Sequence, residues 1–499
     1  MEPEQVDHAV RAHRDMTAAG EERPATGVDT VLRHGHVITM DPDRRILLDG
    51  SIAIGNGLIV DIGPDDEVAV PDGAAERDLQ GALVHPGFVD AHVHVNSQEL
   101  IRGFAPKDTA DWSDLELALW DARSPEMDHF GTLISSMEMV ANGTTMFADT
   151  GSAFWLEDEV RALEMVGIRG FPGHFLIDGN LEIDADELQD PRFGSMPQSE
   201  IDILGVTTDV AFERLQRQIE DHPFHSERRV RGVVNMFGSG RNTDDLLVRA
   251  RELANEHRVP MIMHQSWGPE EVSASLDEHG KRPLEHLADL GILGPRLTLV
   301  HMIHLDEREL ELTIESGTHV VHCPTASVRR GMGALRMGRF PEMVRAGLTV
   351  ALGSDGVSAR RDVGRQMYLA AVGFREVRNE IPVFTGETIL EMATLHGAAA
   401  VGMADEIGSL EVGKRADIVI HSLDRPEAHP RFQDPVDSLV FYRQSRTVDT
   451  VIIDGEAVYD GGRFTRFDAA EAYRRIDAVA SRFENEVGPG SFTTWPIVG

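Results

Sequence analysis

Residues 85–94 read HPGFVDAHVH, an apolar run that closes on two histidines one residue apart. In an extended strand successive side chains point to opposite faces, so His92 and His94 share a face and Val93 takes the other. Two imidazoles held rigidly toward one point suit a divalent metal, for which histidine is the commonest protein ligand. A solvated pair at a strand end would read the same way, so the pattern needs further ligands to mean more.

Upstream of this run, residues 28–83 hold short strand-like segments, VLRHGHVITM, SIAIGNGLIVDIG and RDLQGALVHP, separated by Asp, Gly and Pro turns. The same texture returns in ADIVIHSL, DSLVFY and TVDTVIIDGEAVYDGG, which predicts one composite β-sandwich domain from residues 28–83 and 403–463. Between 84 and 402, short apolar runs alternate with amphipathic helices. The candidate strands are ALVHPGFVDAHVH, TTMFADTG, IRGFPGHFLI, VRGVVNMFG, VPMIMHQS, LTLVHMIH, THVVHCP and LTVALGSD, which predicts an α/β fold with a (β/α)8 TIM-like barrel. Thr243 or Asp244 is placed to cap a helix whose Leu246, Leu247, Ala250, Leu253 and Ala254 share a face, and Gly317 to end one running from Asp306 to Ser316. Residues 1–27 read as a polar extension and 464–499 as a helical tail.

Composition narrows the partners. With 47 basic against 84 acidic residues the formal charge is −37, which repels polyphosphate backbones and argues against nucleic acid. The expected partner is a small molecule. No apolar stretch is long enough to span a membrane, and residues 1–26 lack the apolar core of a secretory signal, so the cytoplasm is expected. The single cysteine, Cys323, excludes an internal disulfide and a thiolate metal cluster; a metal here needs histidine and carboxylate.

Barrel enzymes build their sites at the C-terminal ends of the strands. His92 and His94 end the first strand, His264 ends VPMIMH, His301 ends RLTLVH and Asp355 ends TVALGSD. Such a set matches what a catalytic Zn²⁺ or Fe²⁺ with an open water position requires.

The chain resembles the amidohydrolase superfamily, in the branch of the guanine, cytosine and S-adenosylhomocysteine/methylthioadenosine deaminases and the triazine hydrolases. The resemblance runs over residues 28 to 460 and rests on PGFVDAHVH with Arg102 and Gly103 after it, NGTTMFADTG, EHGKRPLEHLADLGILGPRLTLVH, THVVHCPTAS, VALGSDG and GSLEVGKRADIVI. It implies one divalent metal ion, Zn²⁺ in preference to Fe²⁺, on His92, His94, His264 and Asp355, with His301 and Asp355 catalytic. Water activated there would attack an sp² carbon and expel ammonia or an amine. Two-metal members carry a modified lysine on the fourth strand; VRGVVNMFG offers Asn235 instead, so one metal is expected. Homo-oligomers are expected by the same analogy.

Two departures bear on the substrate. The deaminase branch carries HxxE on the fifth strand, but this chain reads His264, Gln265, Ser266, Trp267. Trp267 is read as an aromatic wall of the pocket, or as packing under the rim; Glu270 and Glu271 would need a different loop path to replace the glutamate. After Asp355 the text is GVSARRD, so Arg360 and Arg361, with Arg329 and Arg330, are candidates for binding an anion. His304 is a candidate pocket residue, His322 and Cys323 are read as packing, and His174 is left open. Met137 and Met139, two apart on a helix, are not expected to share a face. The rival chemistry is hydrolysis of an amide, a carbamate or a carbon–halogen bond; a metal-free binding scaffold is a remote alternative.

Overall fold

Strands β1 (Thr30–Ile38), β2 (Ile46–Gly55), β3 (Leu58–Pro64), β4 (Ala75–Asp78) and β5 (Leu83–Pro86) open the computed structural model, which describes residues 27–102, 122–178, 207–356, 360–431 and 434–487. The expected N-terminal extension, apart from Gly27, and the end of the tail lie outside the described residues. There follow β6 (Phe88–Val93), β7 (Thr144–Asp149), β8 (Arg169–Phe171), β9 (Val234–Gly238), β10 (Met261–Gln265), β11 (Leu297–His301), β12 (His319–His322) and β13 (Val350–Leu352). Last come β14 (Ile418–His421), β15 (Val448–Ile453), β16 (Glu456–Asp460) and β17 (Arg463–Phe464).

Strands β6 to β13 are the barrel. They form two parallel sheets, β6-β7-β8 and β9 through β13 in sequential order. A parallel bridge Val93–Asp355 closes one seam and Gly170–Val230 the other. The third strand is shorter than expected: Pro172 follows Phe171 and supplies no amide hydrogen to a ladder, so the ladder breaks there and resumes only as the isolated bridge Ala153–His174. Gln218 fills the resulting gap, donating to Val233 O and Asn235 Oδ1, both at 2.7 Å, and accepting from the His174 amide.

The outer segments join as anticipated at the level of strands, β5 pairing antiparallel with β14. The two wings of the sandwich belong to one hydrogen-bonded sheet, in the order β17-β16-β15-β14-β5-β1-β2-β3 with β4 on β1. Ile52, Ile59, Val84, Ile418 and Ile452 share the core between them. Because β5 runs directly into β6, this sheet anchors the strand that carries His92 and His94.

Local signals held where they were specific. Thr243 caps the helix Asp244–His257, and all five apolar residues of its inner face are buried. Asp306 and Glu309 form a capping box on Glu307–Ser316, which Gly317 ends in the left-handed conformation. Met137 and Met139 are both buried, which two residues that do not share a face can be when the helix is covered on several sides. Their helix, Pro125–Ala141, is covered on one side by β7 and on others by β15, β16 and the helix Ala469–Val487.

Candidate metal centre

The C-terminal ends of β6, β10, β11 and β13 bring five candidate side chains to one mouth. His94 Nε2 stands 3.3 Å from His264 Nε2 and 3.6 Å from Asp355 Oδ1, while His92 Nε2 stands 3.5 Å from Asp355 Oδ1. Four donors on a tetrahedron around Zn²⁺, each about 2.0–2.1 Å from the ion, would be separated by about 3.3–3.4 Å. These three separations match that spacing, and the candidates gather as two triads, His92–His264–His301 and His92–His94–Asp355, whose ligand atoms lie within 4.8 Å of one another. His301 lies beside it, its ring 5.5 Å from those of His92 and His264.

The polar atoms fit an ion as well as the distances do. His92 is fully buried and its Nε2 has no hydrogen-bond partner, an arrangement a protein interior rarely leaves uncompensated. His264 Nδ1 lies 2.7 Å from Phe237 O; a carbonyl only accepts, so Nδ1 carries the hydrogen and Nε2 keeps its lone pair. Burial first, then neighbouring His92, pushes His94 down to about 3; burial takes His301 to about 4 and His264 well below the usual range. Burial alone would raise the Asp355 carboxyl, but His92, His301 and His94 outweigh it and hold it well below the usual range. Neutral imidazoles and an ionised carboxylate are the states that ligate metal.

Four of the thirteen non-glycine residues with positive φ among the described residues lie here. Ser266 (φ 53), His301 (φ 76), Met302 (φ 50) and Asp355 (φ 66) are non-glycine residues in the left-handed region, all at the ends of the strands that carry the site. Gly353 lets β13 approach β6: a Cβ there would meet His92 Cβ and His92 O at 2.9 Å.

The departures from the deaminase pattern now have positions. Trp267 is 41% exposed, so it is not packed beneath the rim. Glu271 does reach the end of β10: its carboxylate accepts from Gln265 Nε2, from Ser266 N at 2.7 Å and from Trp267 N at 2.9 Å. Burial pushes Glu271 up to about 7 despite these donors. His304 is half-buried, its amide on Ser266 O at 3.0 Å, which sets it beside the Trp267 turn. Arg360 is exposed and pairs with Glu138 at 3.1 Å; Arg329 is exposed at the end of the short helix Pro324–Arg330. Arg361 corrects its expectation. It is fully buried, donating to the carbonyls of Asp355, Gly356 and His94 and pairing with Glu99, and so presents nothing to a ligand.

Sequence reasoning missed Asp149 and Thr150, at and just beyond the end of β7. Asp149 is buried and accepts from Val95 N, Gly151 N and Ser152 Oγ, with His94 Nδ1 at 3.9 Å; burial raises it to about 6. The Asn235 amide is spent between Asp149 O and Gln218. His322 stacks on Phe340 at 4.1 Å and Cys323 is buried, as packing residues. His174 lines a cavity of about 380 Å³ with Phe154, Trp155, Arg214 and His222. Asp244, His279 and His286 also come together, but the two rings stack at 3.7 Å with planes 7° apart, so their lone pairs do not meet at one ion.

A mouth of this kind belongs to hydrolases on (β/α)8 barrels. Within that class, residues 83–458 match the amidohydrolase family, and the chain belongs to it. It is 31% identical over 458 residues to a 5-methylthioadenosine/S-adenosylhomocysteine deaminase of Syntrophobacter fumaroxidans, covering 91% of this chain and 98% of that protein. Among solved structures it is similar to a zinc-bound adenosine deaminase of Xanthomonas campestris, at 26% identity and TM-score 0.80 over 93% of this chain and all of that one. The zinc complex of atrazine chlorohydrolase from Arthrobacter aurescens shares the fold, with TM-score 0.79 at 21% identity over 90% of this chain and all of the other. Membership in that family, with curated relatives named as deaminases, makes the chain a hydrolase of the class that acts on carbon–nitrogen bonds. Among the described residues no helix is long and apolar enough to cross a membrane.

Proposed function

We infer that the chain is a mononuclear aminohydrolase that removes ammonia or an amine from a small nitrogen-rich or aromatic compound. His92, His94, His264 and Asp355 would hold one divalent cation, Zn²⁺ in preference to Fe²⁺. The observation that carries this reading is the set of 3.3–3.6 Å separations that link His264, His94, Asp355 and His92, with His92 Nε2 buried and without a hydrogen bond. A cation there supplies acidity to water at neutral pH. Asp355, ionised and turned to the same point, accepts the proton of the attacking water and returns it to the leaving group. His301 donates to oxygen as negative charge develops on it. Trp267, with His304 beside its turn, forms a wall of the substrate pocket, and Arg329 and Arg360 belong to its outer rim. Residues 84–402 are the working barrel, supported by the composite domain 28–83 and 403–463; cytoplasmic residence and homo-oligomeric assembly complete the reading.

The second reading, hydrolysis of an amide, carbamate or carbon–halogen bond, is favoured by position 267. An indole stands where a proton-donating carboxylate would serve a heterocycle, and Glu271 is committed to three donors of its own loop. A screen for ammonia release from aminated purines, their nucleosides, pyrimidines, pterins and triazines separates the two. Ammonia from one compound with protein of known metal content, lost in Asp355→Asn, is the expected result. Silence across the panel with loaded enzyme overturns deamination and directs the assay to amides, carbamates and halogenated rings.

A further inference from the structure

Thr150 is fully buried between two of the candidate ligands, with Oγ1 3.4 Å from His92 Nδ1 and 3.2 Å from His264 Nε2. A hydroxyl has one hydrogen to give and lone pairs to accept with. His264 Nδ1 already donates to Phe237 O, so its Nε2 can only accept; His94 Nε2 stands 3.3 Å away, but a ligating His94 keeps a lone pair on that atom and has no hydrogen to give there, which leaves Thr150 as the donor. The hydroxyl oxygen is then free to accept from His92 Nδ1–H. That acceptance fixes the tautomer of His92, placing its hydrogen on Nδ1 and its lone pair on Nε2, the atom facing Asp355.

From this geometry we propose that Thr150 is a positioning residue of the metal centre. It holds His92 in the ligating tautomer, and its bond to His264 keeps the two rings oriented toward the point where a cation would be held. The inference rests on the reading of His92 and His264 as ligands. Groups that orient a ligating histidine typically change metal affinity 10–100-fold when removed.

The test compares wild type, Thr150→Ser and Thr150→Val by zinc competition with a chromophoric chelator, with circular dichroism as a check on folding. Thr150→Val keeps the volume and removes the hydroxyl. The expected result is one zinc per wild-type chain, a dissociation constant raised 10–100-fold in Thr150→Val, and recovery in Thr150→Ser. Should the valine variant not fold, Thr150→Ala against Thr150→Ser carries the same comparison. A wild type with one zinc and a hydroxyl-free variant that binds it as tightly overturns the role of Thr150 alone. A wild type that takes up no stoichiometric zinc overturns the ligand assignment itself.

Discussion

Arg361 and Glu99 form an ion pair buried on both sides, their side chains 0% and 1% exposed. From inside the barrel seam the same guanidinium donates to His94 O at 2.8 Å and to the carbonyls of Asp355 and Gly356. One side chain thus fastens the backbones of two candidate ligands that are remote in sequence. A planar fork of five donors can do this, and an ammonium cannot.

Removing the charge of Glu99 leaves Arg361 buried and uncompensated, a change that typically costs about 3–5 kcal/mol. Glu99→Gln should lower the urea midpoint accordingly and weaken zinc binding as the His94 and Asp355 backbones loosen. Arg361→Lys should show the same direction despite keeping the charge. Unchanged stability in both variants would mean that the carbonyl bonds are not what holds the seam.

At the end of β10, Glu271 holds the Ser266 and Trp267 amides, so the indole is placed by a carboxylate four residues beyond it. Glu271→Ala should therefore lower kcat/KM by about tenfold or more through KM, since a misplaced wall weakens binding before it touches chemistry. Trp267→Ala should match that loss, and the double variant should cost no more than either single change. Additive losses would separate the two residues.

What the sequence made legible follows from locality. A strand alternates its faces, so His92 and His94 could be assigned to one side; a barrel exposes strand ends, so His264, His301 and Asp355 could be assigned to one mouth. Helix caps such as Thr243 and Gly317 act within a few residues and were equally readable. Arg361 was not, because an arginine in a loop reads as a solvated cation until its partner, 262 residues earlier, is known. Thr150 in ADTG reads as a turn hydroxyl, and only the parallel pairing of Val93 with Asp149 brings it under His92. Glu271 reads in the sequence as needing a different loop path; the turn after Trp267 doubles back and brings its carboxylate to the Ser266 and Trp267 amides. The two wings of the outer sheet had the right texture, but their continuity depends on β5 meeting β14, which no local pattern encodes.

That same strand pair carries a buried histidine couple. His85 Nε2 and His421 Nε2 are 2.8 Å apart, with His85 Nδ1 on Pro86 O at 2.7 Å and His421 Nδ1 on Thr447 Oγ1 at 2.6 Å. The arrangement closes with both rings neutral: Thr447 donates to His421, His421 to His85 and His85 to the carbonyl. A third ring proton could be placed only by turning the Thr447 hydroxyl from donor to acceptor, and burial lowers His85 to about 4 and His421 well below its usual range. An unfolded histidine titrates near 6.5, so below that pH the unfolded chain binds more protons than the folded one, and stability falls with pH. Through His85 alone the loss between pH 7 and pH 4 amounts to about 3 kcal/mol, fully present as stability above 6.5 and gone below 4. Urea midpoints for wild type and a His85→Leu/His421→Leu double variant, both kept in chelator at pH 7, 6 and 5, isolate the couple, because every other histidine cancels in the difference. The wild type should lose ground steadily against the double variant as the pH drops. A difference that stays constant with pH would mean that the couple takes up a proton in the folded chain, and the neutral relay from Thr447 to Pro86 would be wrong.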